Sequence, residues 1–201
     1  MTDMDKTPNP FKANREQIFQ AMPENSAILL FTAERKVRSG DTEYPYCQDK
    51  DYYYMTGLNE PNGRLIMVKR PKESKTTLFL FQRNKIQAHW FGATLPLEEG
   101  KKLSGIKKAV NLDLFDATLA RLLPDMTTLF VNYETAWIEQ PLPPRLQFVQ
   151  KIRERFPHLE VKSVKSLIHH KRETKEPWEI HRIEEAIKVC EASLRELMAL
   201  N

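Results

Sequence analysis

The sequence holds 201 residues, 29% of them charged and 41% hydrophobic, an ordinary globular balance on a chain long enough to bury a substantial core. Its 31 Lys and Arg against 27 Asp and Glu give a net charge of +4, but the bases are interspersed with acids. The nearest clusters, Lys69-Arg70-Pro71-Lys72 and Lys107-Lys108, do not make the basic face of a nucleic-acid binder, and no window approaches the ~18 apolar residues of a membrane span.

In chain order, residues 1–10 read as a flexible start, polar and proline-bearing, with no signal peptide. Asn14 to Met22 is expected to be a short helix with Ile18, Phe19 and Met22 on one face, stopped by Pro23 and Asn25. Ser26 to Ala33, "SAILLFTA", is a continuous apolar run, as for a strand covered on both faces. Tyr52, Tyr53 and Tyr54 look like a half-buried strand with Tyr53 opposite its neighbours. Arg64 to Lys69 and Thr76 to Gln82 read as strands, and the short turn between them predicts an antiparallel pair. Asn111 to Leu123 is an amphipathic helix with Leu112, Phe115, Leu119 and Leu122 on one face. Thr127 to Tyr133 is a fourth strand, "PPRLQFVQKIRERFP" a helix opened by proline and ended before Pro157, and Leu159 to Val164 a fifth strand. The order is that of an α/β fold with helices on both faces of a mixed sheet. From Pro177 the chain reads as one helix to its end, with Ile180, Ile183, Ile187, Cys190, Leu194 and Leu197 in one apolar stripe. The stripe either packs back onto its own domain or takes another domain or chain; with nothing after Asn201 to cover it, a partner is the favoured expectation.

Chemistry-bearing patterns are sparse. With six glycines there is no GxGxxG, no GxxxxGK[ST] and no GxSxG. The five histidines form no HxxxH or HExxH, and the adjacent His169 and His170, taken as strand neighbours, point to opposite faces. Cys47 and Cys190 make no CxxC, which fits a reduced, cytoplasmic protein. Cys47 with His89 is a conceivable catalytic pair, but no third group is suggested. Asp41 and Glu43, two apart on an extended segment, would share a face as paired carboxylates; the plainer alternative is turn capping, or pairing with Arg38 or Arg64.

The stretch "SGDTEYPYCQDKDYYYMTGLNEPNGRLIMV" resembles the N-terminal domain of the Xaa-Pro aminopeptidases, the aminopeptidase P family: Ser39, Asp41, Glu43, Tyr44-Pro45-Tyr46, Asp51 to Tyr54, and the turn Thr56 to Pro61 match its pattern. "HWFG", His89 to Gly92, is similar to the family's tryptophan-bearing loop, and "HHKRETKEPWEIHRIEEA", His169 to Ala186, to its linker into the catalytic domain. The resemblance implies a three-layer α/β/α domain over 1–174 with a mixed, about six-stranded sheet, in which Asp51 to Met55 would supply the sixth strand. Residues 175–201 would be the linker and first helix of a "pita-bread" catalytic domain. That domain would hold two manganese ions on aspartate, histidine and glutamate ligands, to activate a water against the bond before proline. None of those ligand motifs has a counterpart here, so this chain alone is expected to bind no catalytic metal and to cleave nothing.

By the same resemblance the domain would drive homo-oligomer assembly and close part of a neighbouring subunit's substrate cleft on proline-containing peptides. Trp90 would reach into that cleft, the alternative being core packing beside Phe91; Asp41 and Arg172 would serve contacts between domains or subunits. The rival expectations are a free-standing protein-binding module derived from the family, and a small hydrolase using Asp41 and Glu43.

Overall fold

The computed structural model describes residues 9–199, so the expected flexible start falls largely outside the described residues. The chain divides into two compact units, 1–167 and 168–201. The second unit begins inside α7 (Lys165–Glu173), short of the expected domain limit at 174, and includes α8 (Pro177–Ala199).

The first unit opens with α1 (Pro10–Ala21), started by proline at its first position and capped by Asn9, whose side chain accepts from the Phe11 and Lys12 amides. β1 (Ser26–Phe31) is buried along its whole length, as its unbroken apolar run predicts. A small hairpin of β2 (Val37–Ser39) and β3 (Thr42–Glu43) precedes α2 (Lys50–Thr56). β4 (Gly63–Arg70) and β5 (Glu73–Leu80) pair antiparallel through a tight turn at Pro71-Lys72, as expected. Then come α3 (Lys85–Phe91), α4 (Leu97–Ser104), β6 (Lys108–Asn111), α5 (Phe115–Leu122, flanked by 3-10 turns), β7 (Thr128–Val131), α6 (Pro144–Arg155) and β8 (Glu160–Ser163).

The sheet has six strands in the order β6-β5-β4-β1-β7-β8. β1 is antiparallel to β4 and β4 to β5, while β5–β6, β1–β7 and β7–β8 are parallel. Five strands therefore run one way and β4 alone runs the other. The sixth strand is not Asp51 to Met55, which is helical; it is Lys108–Asn111, a short edge strand.

Alternation along the strands builds two cores. Ala27, Leu29 and Phe31 of β1, Ile66 and Val68 of β4, Phe79 of β5 and Leu129 and Val131 of β7 cluster with Phe115, Leu119 and Leu122 of α5 and Val149 and Ile152 of α6. The intervening residues, such as Ile28, Leu30, Leu65, Met67 and Leu78, are buried on the opposite face, where α2 meets β1 and α4 meets β5. The result is the expected three-layer α/β/α arrangement. Arg15 staples the second layer: Nη1 donates to Met55 O at 2.6 Å and Nη2 to Ser104 O at 2.9 Å, a cation set on the carboxyl ends of α2 and α4. Burial pushes its pKa down to about 10.

Candidate functional site

Because β1, β5, β6, β7 and β8 run the same way, the connections that leave them gather at one end of the sheet, its carboxyl end, as does the chain entering β4. The run from Ser39 to Pro61 lies there, between β1 and β4. Asp41 is exposed in the turn of the β2–β3 hairpin, after Gly40 with φ 55°. Glu43 is taken by an arginine rather than a second carboxylate, and that arginine is neither Arg38 nor Arg64: Arg35 Nη1 donates to Glu43 Oε2 at 2.6 Å.

The residues that follow lock the loop to the sheet. The buried Gln48 amide accepts from Ala33 N and Asp49 N at 2.9 Å and from Tyr46 Oη at 2.9 Å, and donates to Leu58 O and Glu60 O. Burial pushes the Tyr46 phenol up to about 12, against a smaller opposing effect of its hydrogen bond to Gln48. Asp49 caps α2: its Oδ1 accepts from Asp51 N and Tyr52 N at 3.0 Å, and Gly57 closes the helix with φ 69°. This is why Tyr52 to Tyr54 are helical and not a strand. With a side-chain cap before it and a left-handed glycine after it, the segment has both terminal signals of a helix. Asp49 Oδ2 accepts from Arg145 Nη1 at 2.7 Å, and Arg145 also donates to Asn132 O at 2.7 Å and Thr32 O at 2.9 Å. One guanidinium thus joins α2, α6 and the ends of β1 and β7, and the ion pair is largely removed from water, with its side chains 14% and 16% exposed.

Next to this lock, Arg64 lies 4.5 Å over the Phe31 ring and its Nη1 donates to Gly63 O. Burial lowers the pKa of Arg64 and raises that of Tyr52. Arg64 Nε and Tyr52 Oη are buried without a hydrogen-bond partner among the described residues. A Cβ on Gly63 would lie 2.6 Å from the Tyr52 hydroxyl, so only glycine lets the strand come this close.

Outside the lock the same end of the sheet is apolar and exposed. "HWFG" is the end of a helix, not a loop. Asn84 and Gln87 form a capping box for α3, and Arg83 Nη1 holds its far end through Phe91 O at 2.7 Å and Gly92 O at 2.9 Å. Trp90 is 74% exposed and Phe91 72%, so the core-packing alternative for Trp90 is overturned. His89 meets the Trp90 ring edge to face, while Cys47 Sγ contacts the Gln48 carbonyl, so neither supplies a contact expected of a catalytic pair. The β7–α6 connection, residues 132–143, presents Trp137 and Ile138 at a turn closed by Gln140 N to Trp137 O, both almost fully exposed. Sequence reading passed over this loop, although two large apolar residues inside a proline-bounded, strandless stretch were a visible signal.

In the second unit, Arg172 is half-buried on α7, where its carbonyl accepts from Lys175 Nζ. His169 and His170 lie on the same helix rather than on a strand, and His170 Nδ1 is 3.4 Å from Glu173. The stripe of α8 is present as expected and exposed, from Ile180 to Leu197. Among the described residues no three His, Cys, Asp or Glu side chains converge to hold a metal ion. No described helix is long and apolar enough to cross a membrane.

Residues 11–130 match the family model "Aminopeptidase P, N-terminal domain". The chain belongs to that family. It is 34% identical over 120 residues to the Xaa-Pro aminopeptidase of Haemophilus influenzae, covering 60% of this chain and 28% of that protein. To intermediate cleaving peptidase 55 of Schizosaccharomyces pombe it is 27% identical over 192 residues, covering 94% and 40%. The fold is shared with a structure of a candidate aminopeptidase P from Bacillus anthracis, with TM-score 0.83, 30% identity and coverage of 88% of this chain and 42% of that one. It is shared also with Escherichia coli aminopeptidase P bearing the inhibitor Pro-Leu, with TM-score 0.70, 26% identity and coverage of 86% and 40%. The chain thus spans less than half the length of these relatives.

Proposed function

We propose that this aminopeptidase P N-terminal domain is the non-catalytic part of a manganese-dependent Xaa-Pro aminopeptidase. It serves homo-oligomer assembly and shapes a neighbouring subunit's cleft for peptides with proline second. The observation that supports this most is the presentation of Trp90: its helix is capped at one end, clamped by Arg83 at the other, and leaves the indole in solvent. An aromatic held rigidly outward forms an interface anchor at low entropic cost. Asp41, exposed on its hairpin, and Arg172 are the candidates for contacts between subunits or domains. The hydrolytic water and its two metal ions belong, in this reading, to residues the described chain does not supply, in a cytoplasmic protein.

The test is a peptidase assay on the chain as it stands, with an Ala-Pro peptide and manganese. No release of alanine is expected. Release that a chelator abolishes would overturn the reading. A free-standing binding module of the same family is the second reading, favoured by the exposed apolar stripe of α8. It gives way to the first if the reading frame continues past Asn201 into metal-ligand motifs.

A further inference from the structure

The two lysine clusters that stand apart in the sequence meet in the fold. β6 pairs with only the second half of β5: Lys108 lies opposite Thr77, while β5 begins at Glu73. A corner is thus left open at the amino end of the sheet, beside the first residues of β5. The β4–β5 turn, the last turn of α4 (Lys101, Lys102) and the incoming Lys107 and Lys108 gather around it. Lys75 and Lys108 share one face of neighbouring strands, two residues apart in register, about 8 Å between Cα atoms at the usual spacings. Residues 69–75 and 101–108 together hold eight bases and one acid, a net of +7 against +4 for the whole chain, so the other residues carry −3. Lys69 donates to Met22 O, and Arg70, Lys75 and Lys101 pair with Asp125, Glu73 and Glu98. Lys72, Lys102, Lys107 and Lys108 are exposed, and no ion pair or side-chain hydrogen bond joins them to another described residue.

Local roles explain part of this corner. A lysine on an edge strand deters pairing with another sheet, and a base in the last turn of a helix complements its dipole. Neither calls for four unpartnered lysines in one place, where their mutual repulsion is unfavourable. We infer that the corner is a docking surface for an anionic lipid bilayer. Three features favour that partner. Seven of the eight bases are lysines, hydrated point charges suited to the diffuse field of charged headgroups, and the one arginine, Arg70, is engaged by Asp125. No aromatic residue stands in either segment to stack a nucleobase. Leu103, next to Lys102, is 49% exposed, an apolar side chain able to enter the headgroup layer beside the lysines. Lysines and one leucine give peripheral, reversible, salt-sensitive adsorption rather than insertion. The inference does not depend on the proposed peptidase role.

The experiment is co-sedimentation of the whole chain with vesicles of phosphatidylcholine alone and of phosphatidylcholine mixed equally with phosphatidylglycerol, over a lipid series at low and high salt. Binding to the mixed vesicles is expected at low salt, lost at high salt and absent with phosphatidylcholine alone. Each lysine neutralised should weaken it about fivefold: Lys72→Gln by that factor, and Lys107→Gln with Lys108→Gln by about twenty-five-fold. Lys107→Arg should bind as the parent does, Leu103→Asn severalfold more weakly. Lys85→Glu, at the other end of the sheet, should leave binding unchanged. Thermal melts confirm that these exposed variants fold. Four results overturn the inference: no binding to the mixed vesicles, equal binding to both kinds, a paired Lys107 and Lys108 neutralisation without effect, which assigns adsorption to another surface, or a tighter complex with polyuridine RNA or polyglutamate than with the vesicles at the same salt. The last would assign the corner to a nucleic acid or an acidic protein.

Discussion

The two ends of the sheet are built on different principles. At the amino end the connections are short: the β4–β5 turn is Pro71-Lys72, and Met126 and Thr127 alone join the 3-10 turn after α5 to β7. At the carboxyl end the chain spends residues 32–62 between β1 and β4 and 132–143 between β7 and α6, and there the exposed Tyr44, Ile86, Trp90, Phe91, Trp137 and Ile138 collect. The carboxyl end therefore has two layers. An inner layer of buried polar bonds, centred on Gln48, Asp49 and Arg145, makes the loops rigid. An outer layer of apolar side chains stays exposed within the described chain, the kind of surface that marks interaction sites.

If that division is right, inner-layer changes cost stability and outer-layer changes do not. The largest effect is expected from Arg145→Ala, which leaves the Asp49 carboxylate largely buried without its cation. Breaking such a pair typically costs about 3 kcal/mol, read as a lower denaturant midpoint at unchanged slope. A loss under about 0.5 kcal/mol, the size of a surface effect, would dissolve the distinction between layers.

A smaller effect lies in the pH dependence of Tyr46→Phe. The phenol is raised from its usual 10.0 to about 12 in the folded protein, chiefly by burial. A raised folded value means stability fully present below pH 10 and lost as pH climbs toward 12. Tyr46→Phe should therefore be less stable than the parent at neutral pH, by about 1 kcal/mol for its lost hydrogen bonds. The gap should narrow between pH 10 and 12 in urea titrations. A gap constant across that range would place Tyr46 in the solvated outer layer.

Much of this was legible in the sequence, and for physical reasons. β1 announces itself because a strand buried on both faces needs an unbroken apolar run, and the short span between the Arg64–Lys69 and Thr76–Gln82 runs pointed to the antiparallel β4–β5 pair, whose turn tightens in the structure to Pro71-Lys72. The faces of α5 and α8 were readable from 3.6-residue periodicity. Tyr52 to Tyr54 misled because aromatics favour strands, yet Asp49 and Gly57 frame a helix, and here the caps outweighed propensity. The edge strand Lys108–Asn111 is only four residues long and half solvated, so it leaves little pattern. α3 was missed because its seven residues bury no side chain and so carry no core-facing stripe, and α4 because its surface is mostly polar, although Asn84 and Gln87 spell a capping box for α3. At the site, the diagnostic run was recognisable, but its role as a lock was not. The lock needs Arg145, 96 residues from Asp49, and only the fold brings them together.

The smallest expected change in stability belongs to Trp90, and it is also the most direct test of the central claim that the carboxyl end faces outward to a partner. Trp90→Ala should be made in the longer metalloaminopeptidase that the proposed function assigns to this domain, with the melting temperature, metal content and steady-state kinetics on di- and tripeptides measured on the same preparation. The account predicts an unchanged melt and metal content, with a raised KM or a shifted length preference. Kinetics unaltered on both peptide lengths, or a melt depressed as a buried tryptophan would depress it, would contradict it.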